Sequence, residues 1–145
     1  MNATLLKFGY PQSLIKEHDQ WCILLRPQQV TLGSLVLAAK SEATAFADLP
    51  RAAFAELATV IPEIESSLQR FNAYAKINYL MLMMVDPHVH MHVIPRYPNR
   101  KIFDEVEFID SGWPGPPDLK SAPELTDKLR KNLLWTLQLR LSGES

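Results

Sequence analysis

Strict alternation between histidine and apolar residues near the middle of the chain is the feature that most constrains its fold. The stretch is HVHMHVIPR, and it holds three of the four histidines in 145 residues, at His88, His90 and His92. Successive side chains of a β-strand point to opposite faces of a sheet. The alternation therefore predicts a strand over 88–93, with all three imidazoles on one face and the intervening apolar side chains in the core.

Apolar runs elsewhere predict further strands. Residues 21–25 and 35–39 are apolar and partly β-branched, and the segment between them is polar enough to turn the chain, which predicts an antiparallel pair. The continuous apolar run at 79–85 predicts a central strand covered on both faces. A short strand is also predicted at 106–109, between two segments rich in proline and glycine.

Two helices are predicted from the spacing of apolar residues. Residues 51–71 carry apolar side chains at the period of a helix with one buried face. Asp48 is the expected N-terminal cap, and Pro62 is expected to kink or break the helix because proline lacks the amide that the preceding turn needs. Regularly spaced leucines predict a second amphipathic helix over 123–141. Strands and helices in this order predict an α+β domain with helices packed on an antiparallel sheet.

Length and composition indicate one domain and exclude some classes of function. A chain of 145 residues with 47% hydrophobic residues can bury one core, so residues 1–145 are expected to form a single domain. The formal net charge is -1 and the basic residues are scattered, which argues against nucleic acid as a partner. No segment resembles a secretion signal or a membrane span, so a soluble, cytoplasmic protein is expected. Cys22, the single cysteine, is expected to be a buried and unreactive thiol.

Three aligned histidines are open to three interpretations. Same-face residues of a strand lie about 6.6–6.8 Å apart, whereas zinc lies only about 2.0–2.1 Å from each nitrogen ligand. Neighbouring imidazoles can converge on one ion, but a regular strand cannot bring all three to it, and His18 is the only other histidine. A purely structural strand is the second interpretation. The third is nucleophilic and acid-base chemistry, since a histidine with a pKa of about 6.5 is largely neutral at pH 7 and its free nitrogen can attack.

The stretch from His88 to Ile94 also resembles a known family signature. It matches the His-apolar-His-apolar-His-apolar-apolar pattern of the histidine triad (HIT) family of nucleotide hydrolases and transferases, and Pro95-Arg96 after it is typical of that family. Upstream, GSLVLAAKSEATAFADL is similar to the family's segment before its long helix. The resemblance covers 21–96, whereas the C-terminal loop and helix at 97–145 are not diagnostic. It implies a HIT-like antiparallel sheet of about five strands, with a long helix and a C-terminal helix packed on it.

The resemblance implies a role for each histidine. His90 would attack the α-phosphorus of a nucleoside phosphoramidate or a dinucleoside polyphosphate and form a nucleotidyl-histidine. His92 would lie against the phosphate and pass a proton to the leaving group. The backbone carbonyl of His88 would hold the ring of His90 so that its outward nitrogen is unprotonated. A histidine at position 92, where the uridylyltransferase branch usually has glutamine, favours water as the final acceptor.

The sequence departs from the family pattern around the expected substrate. Gly33-Ser34 stands where many members have glycine-histidine, and a shorter Met84-Val85-Asp86-Pro87 replaces a Gly-Gln-Ser or Gly-Gln-Thr loop. Asn78, near the position of a family asparagine, is a candidate for orienting the phosphate, and the alternative is that it only satisfies backbone groups. Gln28 or Gln29 is the nearest candidate for contacting the ribose.

Other residues are assigned structural roles. Arg96 is expected in a surface ion pair rather than at the substrate, and His18 is expected to be solvated. Trp113 is interpreted as the packed anchor of a loop, with stacking on a nucleotide base as the alternative. The methionines are interpreted as core filler, at Met81, Met83, Met84 and Met91.

The sequence therefore predicts an enzyme, a nucleotide hydrolase or nucleotidyl transferase with no tightly bound metal or cofactor, although magnesium on a polyphosphate substrate is allowed. A catalytically weak nucleotide-binding module and a histidine-based metal-binding protein are the alternatives. The expected ligand is a small-molecule nucleotide, with no nucleic acid and no membrane as partner. A homodimer is expected from the resemblance and from the apolar surplus of 79–85 and the long helix.

Overall fold

The apolar segments 21–25 and 35–39 and the histidine-containing segment 90–96 form the three middle strands of a five-stranded antiparallel sheet. The computed structural model describes residues 1–123 and 125–143. Its strands are β1 (Leu14–Glu17), β2 (Trp21–Leu25), β3 (Leu35–Ala39), β4 (Lys76–Leu80), β5 (His90–Arg96), β6 (Lys101–Phe103) and β7 (Val106–Phe108). Its helices are α1 (Ala3–Lys7), α2 (Arg51–Phe71) and α3 (Asp127–Leu141), with a 3₁₀ turn at Phe46–Asp48.

The order of the strands sets the neighbours of the histidines. In space the order is β1-β2-β3-β5-β4, while β6 and β7 form a separate hairpin. Strand β5 therefore lies between β3 and β4, and His92 is directly opposite Val36 on β3 and Leu80 on β4. His90 is opposite Ala38. The residues opposite His90 and His92 on the adjacent strands are therefore small or apolar, and the two imidazoles are polar groups among them.

One face of the sheet is covered by α2 and α3, which together bury the main core. The indole Nε1–H of Trp21 on β2 donates a hydrogen bond of 2.8 Å to the carbonyl of Ala53, which joins α2 to the sheet. Helix α3 begins after its cap Thr126, and it buries the regularly spaced leucines that predicted it: Leu129, Leu133, Leu137 and Leu141. Each such fully buried leucine contributes about 1.5–3 kcal/mol of transfer free energy.

The opposite face carries the histidines and is covered by α1. Leu5 of that helix packs against a small cluster formed by Cys22, Leu24, Val36 and Ala38. Val89 and Val93 lie in the main core on the other side, so the predicted alternation of histidines and core residues is confirmed. The Cys22 thiol is fully buried, and that burial raises its pKa to about 11, as expected for an unreactive cysteine.

The long helix differs from its prediction in two details. Pro62 lies inside α2, which continues to Phe71, so of the expected kink or break the break into two helices is wrong. The N-terminal cap is Pro50, which provides no side-chain hydrogen bond, and Asp48 lies in the preceding 3₁₀ turn. Burial of one helix face by Val60, Ile64 and Leu68 compensates for the missing amide and the missing cap.

The run at 79–85 is not the central strand that its composition predicted. Strand β4 ends at Leu80, lies at the edge of the sheet and is only partly buried. The residues after it form a loop, in which Met84 is 87% exposed and Val85 is 79% exposed. Met81 and Met83 pack partly buried against the main core, whereas Met84 lines a cavity, so the interpretation of Met84 as core filler is wrong. Strand β5 starts at His90 rather than at His88 and continues to Arg96.

Some elements carried too little sequence signal to be predicted. Helix α1, strand β1 and strand β6 are short, and β1 contains an irregular register between Leu14 and Lys16. The predicted strand at 106–109 is confirmed as β7, which pairs with β6 in a hairpin. Within the described residues, none of the helices is long and apolar enough to cross a membrane.

Candidate active site

His90 and His92 lie next to one another on the α1 face of β5. Their ring centroids are 5.2 Å apart and their planes are nearly perpendicular, at 79°. Only 2% of His90 and 7% of His92 is exposed, so each ring is largely shielded while one edge faces a cavity. The ring of Phe8 lies beside both, at 5.4 Å from His90 and 5.8 Å from His92, measured between centroids.

A backbone carbonyl fixes the ring of His90. Nδ1 of His90 lies 2.7 Å from the carbonyl oxygen of His88. A carbonyl can only accept a hydrogen bond, so Nδ1 of His90 carries the proton and donates it. In the neutral ring Nε2 then holds the lone pair, which is the arrangement that a nucleophilic imidazole needs. This is the contact that the resemblance to the HIT family implies for His88.

An arginine fixes the ring of His92 in the opposite way. Nε–H of Arg26 donates to Nδ1 of His92 at 3.2 Å. Because an arginine keeps its protons in proteins, Nδ1 of His92 must be the acceptor, and the neutral ring carries its proton on Nε2. Burial lowers the pKa of His92 to about 4, with further lowering by the nearby Arg26 and His90, while Asp86 acts in the opposite direction. His92 is therefore neutral at pH 7 and has an N–H to donate.

His88 does not line the cavity, and its backbone carbonyl holds the ring of His90. Its Nδ1 is 3.0 Å from the hydroxyl oxygen of Thr4, and its backbone N–H donates to the same oxygen at 3.3 Å. On the other side of the ring, Nε2 lies 3.4 Å from a carboxylate oxygen of Glu42. These contacts tie the residue that supplies the carbonyl to α1 and to the segment after β3.

The cavity over the two histidines has a volume of about 450 Å³, which is the size of a small-molecule site. Arg26 and Gln28 form one side, Lys7 and Phe8 from the end of α1 form another, and the loop 82–86 closes a third. A salt bridge of 2.8 Å between Lys7 and Asp86 links α1 to that loop. The cavity thus combines an apolar wall with basic groups beside the histidine pair.

Gln28 and Gln29 have different environments. Gln28 is exposed at the cavity, and its backbone oxygen accepts from Nη1 of Arg26 at 2.8 Å. Gln29 is fully buried, and its amide nitrogen donates to the carbonyls of Arg26 and Ser34, both at 2.8 Å. Of the two candidates for the ribose, only Gln28 can reach a bound molecule, whereas Gln29 shapes the turn before β3.

Asn78 is not brought to the histidines. Its side-chain oxygen accepts from Nη1 of Arg96 at 2.8 Å, and the two residues line a separate cavity of about 480 Å³ with Lys76 and Trp113. Asn78 thus pairs with a side chain rather than with the backbone groups of the structural alternative, and it does not line the histidine cavity. Trp113 is partly buried at the wall of that cavity, away from the histidine pair, which fits a loop anchor.

Two surface predictions are wrong. Arg96 is only 3% exposed and makes a two-point ion pair with Asp110, because its side chain lies under the loop that follows β7. His18 is not solvated, since its side chain is 16% exposed and Nε2 lies 2.9 Å from Glu63 of α2. In both cases a partner distant in sequence removes the side chain from water.

Sequence reasoning missed Arg26 and Phe8. Arg26 follows the fully buried strand β2 directly, and an arginine at that point must either turn outward or find an acceptor. The position of Arg26 directly after a buried strand was therefore the sequence feature that could have indicated its role. Phe8 directly follows a short helix that the sequence did not predict, so nothing indicated that it would lie beside the triad. Among the described residues, no three or more histidine, cysteine or acidic side chains are grouped so that they could hold a metal ion.

The fold and the site together define an α+β domain with a pair of oppositely protonated histidines at a ligand cavity. Residues 8–99 match the family model of the HIT domain, which is more than half of the chain. The chain belongs to the HIT family. No curated protein sequence matches it significantly.

Solved structures with this fold include three bacterial histidine triad proteins. That from Bradyrhizobium japonicum is 20% identical with a TM-score of 0.73, and the match covers 97% of this chain and 96% of that chain. That from Sinorhizobium meliloti 1021 is 18% identical with a TM-score of 0.74, covering 97% and 95%. That from Marinobacter aquaeolei VT8 is 18% identical with a TM-score of 0.76, covering 100% and 97%. At these identities the similarity shows the fold.

Proposed function

We propose that the chain is a nucleotide hydrolase or nucleotidyl transferase that acts on the α-phosphate of a nucleoside phosphoramidate or a dinucleoside polyphosphate. The observation that carries the proposal is the opposite placement of protons on two adjacent imidazoles. His90 offers a lone pair and His92 offers an N–H at the same cavity. A nucleophile beside a hydrogen-bond donor is the combination that substitution at a phosphoryl group requires.

The first step is attack by Nε2 of His90 on the α-phosphorus. A bond forms between Nε2 and phosphorus, and the bond from phosphorus to the leaving group breaks with its electron pair going to that group. A polyphosphate leaving group departs as a phosphate anion, and an amine leaving group departs after taking up a proton from solvent. The ring of His90 becomes positively charged, and its Nδ1–H remains bonded to the carbonyl of His88, which stabilises that charge. His92 donates its N–H to an oxygen of the phosphoryl group, where negative charge increases. His88 acts as a positioning residue because it orients His90.

The second step returns the enzyme to its starting state. Water, or another acceptor, attacks the phosphorus and displaces Nε2 of His90 with its electron pair. Nucleoside monophosphate is released when water is the acceptor, and the proton lost by water passes to solvent. These two steps do not require a metal ion bound by the protein. A magnesium ion can enter the site bound to a polyphosphate substrate.

The cavity has the chemical character that a nucleotide needs. Arg26 and Lys7 supply positive charge near the phosphate, while Phe8 and the loop 82–86 supply apolar surface for the nucleoside. Gln28 is the candidate for the ribose hydroxyls, because it is exposed at the edge of the cavity and carries both a donor and an acceptor. Lys7 is half-exposed and already pairs with Asp86, so Arg26 is the more strongly placed cation.

The test is detection of the covalent intermediate. Wild-type protein is mixed with substrate, quenched without acid and analysed by intact-protein mass spectrometry, followed by peptide mapping. We expect a nucleotidyl adduct on the peptide containing His90, and we expect none in His90→Ala. The matched control is His18→Ala, a histidine that contacts Glu63 far from the cavity and whose removal should leave the adduct intact. An adduct that persists in His90→Ala would remove His90 from the role of nucleophile.

Two outcomes would favour the alternatives. A wild-type chain that binds nucleoside monophosphate but turns over neither substrate class would be a nucleotide-binding module. Stoichiometric metal that survives dialysis and whose removal by chelator abolishes activity would indicate a metal-dependent protein. Each measurement is made on the same purified wild-type sample, so the three functions are separated directly.

A further inference from the structure

We propose that Arg26 is a positioning residue that determines specificity, because its hydrogen bond to Nδ1 of His92 makes His92 a neutral donor and so favours substrates whose leaving group departs without taking a proton. This inference rests on the proposed function, and it names the preferred substrate class within it. Phosphoanhydrides, in which the α-phosphorus is joined to the next phosphate through oxygen, are that class.

The geometry at Arg26 prevents His92 from becoming a cation without losing a contact. Nε–H of Arg26 points at Nδ1 of His92 at 3.2 Å, so a second proton on Nδ1 would place two donors against each other. Arg26 cannot turn away freely, because it is only 8% exposed and Nη1 is held by the backbone oxygen of Gln28 at 2.8 Å. Protonation of His92 therefore requires that the buried guanidinium lose one of its two acceptors.

Two of the groups around His92 act in the same direction, and Asp86 opposes them. Arg26 approaches from the end of β2, and His90 is its neighbour on β5. Among the described residues that line the cavity, Asp86 in the loop before β5 is the one acidic group, and it is paired with Lys7 of α1 at 2.8 Å. The remaining neighbour, the ring of Phe8, carries no charge. Consistent with this arrangement, the pKa of His92 is lowered to about 4, with burial as the largest cause.

A neutral His92 distinguishes between the two leaving groups. When Nε2 of His90 attacks a phosphoanhydride, the phosphorus–oxygen bond breaks and the leaving phosphate carries its electron pair away as a stable anion. When it attacks a phosphoramidate, the phosphorus–nitrogen bond breaks and the leaving amine must take up a proton. An imidazolium could supply that proton and become neutral. A neutral His92 would have to become an anion, so its N–H can stabilise a phosphoryl oxygen but is a poor acid.

The surroundings of the cavity fit a leaving group that is itself a phosphate chain. Beyond Pro27 and Gln28, which line both spaces, a second cavity of about 410 Å³ extends to Lys120 and to Arg130, which pairs with Asp127 at 3.1 Å. A dinucleoside polyphosphate has a second anionic half that can occupy this extension, whereas a simple amine leaving group does not need it. Arg26 lines the histidine cavity next to Pro27 and Gln28, the two residues that the cavities share.

The experiment compares Arg26→Met with wild type on two substrates that share the same nucleoside, a dinucleoside polyphosphate and a nucleoside phosphoramidate. We expect wild type to have the higher kcat/KM on the polyphosphate. We expect Arg26→Met to shift the ratio of the two values toward the phosphoramidate by about tenfold or more, since general acid catalysis becomes available. Arg26→Gln is the second neutral variant in case Arg26→Met does not fold, and Arg26→Lys, which keeps the positive charge, should retain most of the wild-type ratio. Arg51→Met, at the exposed start of α2, is the matched control.

Nitrogen NMR of the histidine side chains provides a readout that a merely structural role would not move. In wild type we expect Nδ1 of His92 to be unprotonated and the ring not to titrate between about pH 5 and pH 8. In Arg26→Met we expect titration to move toward the ordinary histidine pKa. Turnover with an unchanged substrate ratio, or a doubly protonated His92 in wild type at pH 7, would overturn the inference and leave the proposed function standing. A wild-type chain that hydrolyses neither substrate would overturn both.

Discussion

Arg96 and Asp110 form a two-point ion pair at the end of the strand that carries the histidines. Nε and Nη2 of Arg96 donate to the two carboxylate oxygens at 2.7 and 2.9 Å, and the side chains are 4% and 1% exposed. The same carboxylate accepts from the backbone N–H of Tyr97 at 3.2 Å, and the remaining Nη1 of Arg96 donates to Asn78. The pair therefore joins β4, β5 and the loop after β7 in one buried hydrogen-bond network.

Asp110→Asn should destabilise the fold strongly. The substitution leaves the Arg96 guanidinium buried without its counter-charge, and breaking a buried pair in this way costs about 3–5 kcal/mol. Urea unfolding followed by circular dichroism measures the change in the free energy of unfolding. Glu107→Gln is the matched control, because Glu107 pairs with Arg100 at 2.8 Å while both side chains are largely exposed. That change should stay within about 1 kcal/mol, and an equal loss in the two variants would contradict the prediction.

The parts of the fold that could be predicted are those in which burial follows a sequence period. The alternation at 88–93 and the leucines of α3 each bury one regular set of side chains, and the continuous apolar runs at 21–25 and 35–39 are buried at every position. The period of apolar residues is a local property of the sequence. It indicates which face of a strand or helix is buried, but it does not indicate which other segment packs against that face. The prediction for 79–85 is wrong for that reason: Met81 and Met83 pack partly buried against the core, whereas Met84 and Val85 are exposed at a cavity.

The candidate site could be predicted only in part. His90 and the carbonyl of His88 are two residues apart, so their contact follows from the strand pattern together with the family resemblance. Arg26 and His92 are 66 residues apart in the sequence. They meet because the strand order places only β3 between β2, which Arg26 follows, and β5, which carries His92. Asn78 was a candidate on its position in the sequence, but pairing places it next to Arg96 instead. Contacts that depend on the order of the strands in the sheet cannot be predicted from a local sequence pattern.

The chain should be a homodimer in solution. Strand β4 lies at the end of the sheet order, and an edge strand presents unpaired backbone groups to which a second chain can add. Phe46 and Phe54 add exposed aromatic surface, at 42% and 41%, with their ring centroids 5.4 Å apart. Light scattering at micromolar concentration should give twice the chain mass of 16.5 kDa. A mass of one chain across the concentration range would contradict this expectation.

Stability should fall with decreasing pH in a way that depends on His92. The ring has a pKa of about 4 in the folded chain and an ordinary value of 6.5, so the unfolded chain binds a proton at a higher pH than the folded chain does. His92 therefore destabilises the fold as the pH falls from 6.5 toward 4, by up to about 1.4 kcal/mol per pH unit, and has little effect above that range. Unfolding in urea at pH 7 and at pH 5 measures the dependence.

His92→Gln isolates this contribution, because glutamine keeps a polar side chain in the same place but does not titrate. The difference in the free energy of unfolding between wild type and His92→Gln should change by roughly 2 kcal/mol between the two pH values, to the disadvantage of wild type at the lower one. His18→Gln, which removes a histidine with a carboxylate partner, is the comparison. A parallel pH dependence in wild type and His92→Gln would show that His92 is not held neutral.

The exposed loop before the triad should bind substrate without stabilising the fold. Met84 is 87% exposed in the free chain, yet it lines the histidine cavity, so its apolar surface is available to a nucleoside. Burying a methionine side chain contributes about 1.5–3 kcal/mol, so Met84→Ser should raise KM by about tenfold or more. The melting temperature should change little because the side chain has few contacts to lose. Ile102→Ser, which removes a side chain 58% exposed on β6, is the matched control and should change neither quantity. An unchanged KM in Met84→Ser would exclude this loop from the nucleoside site.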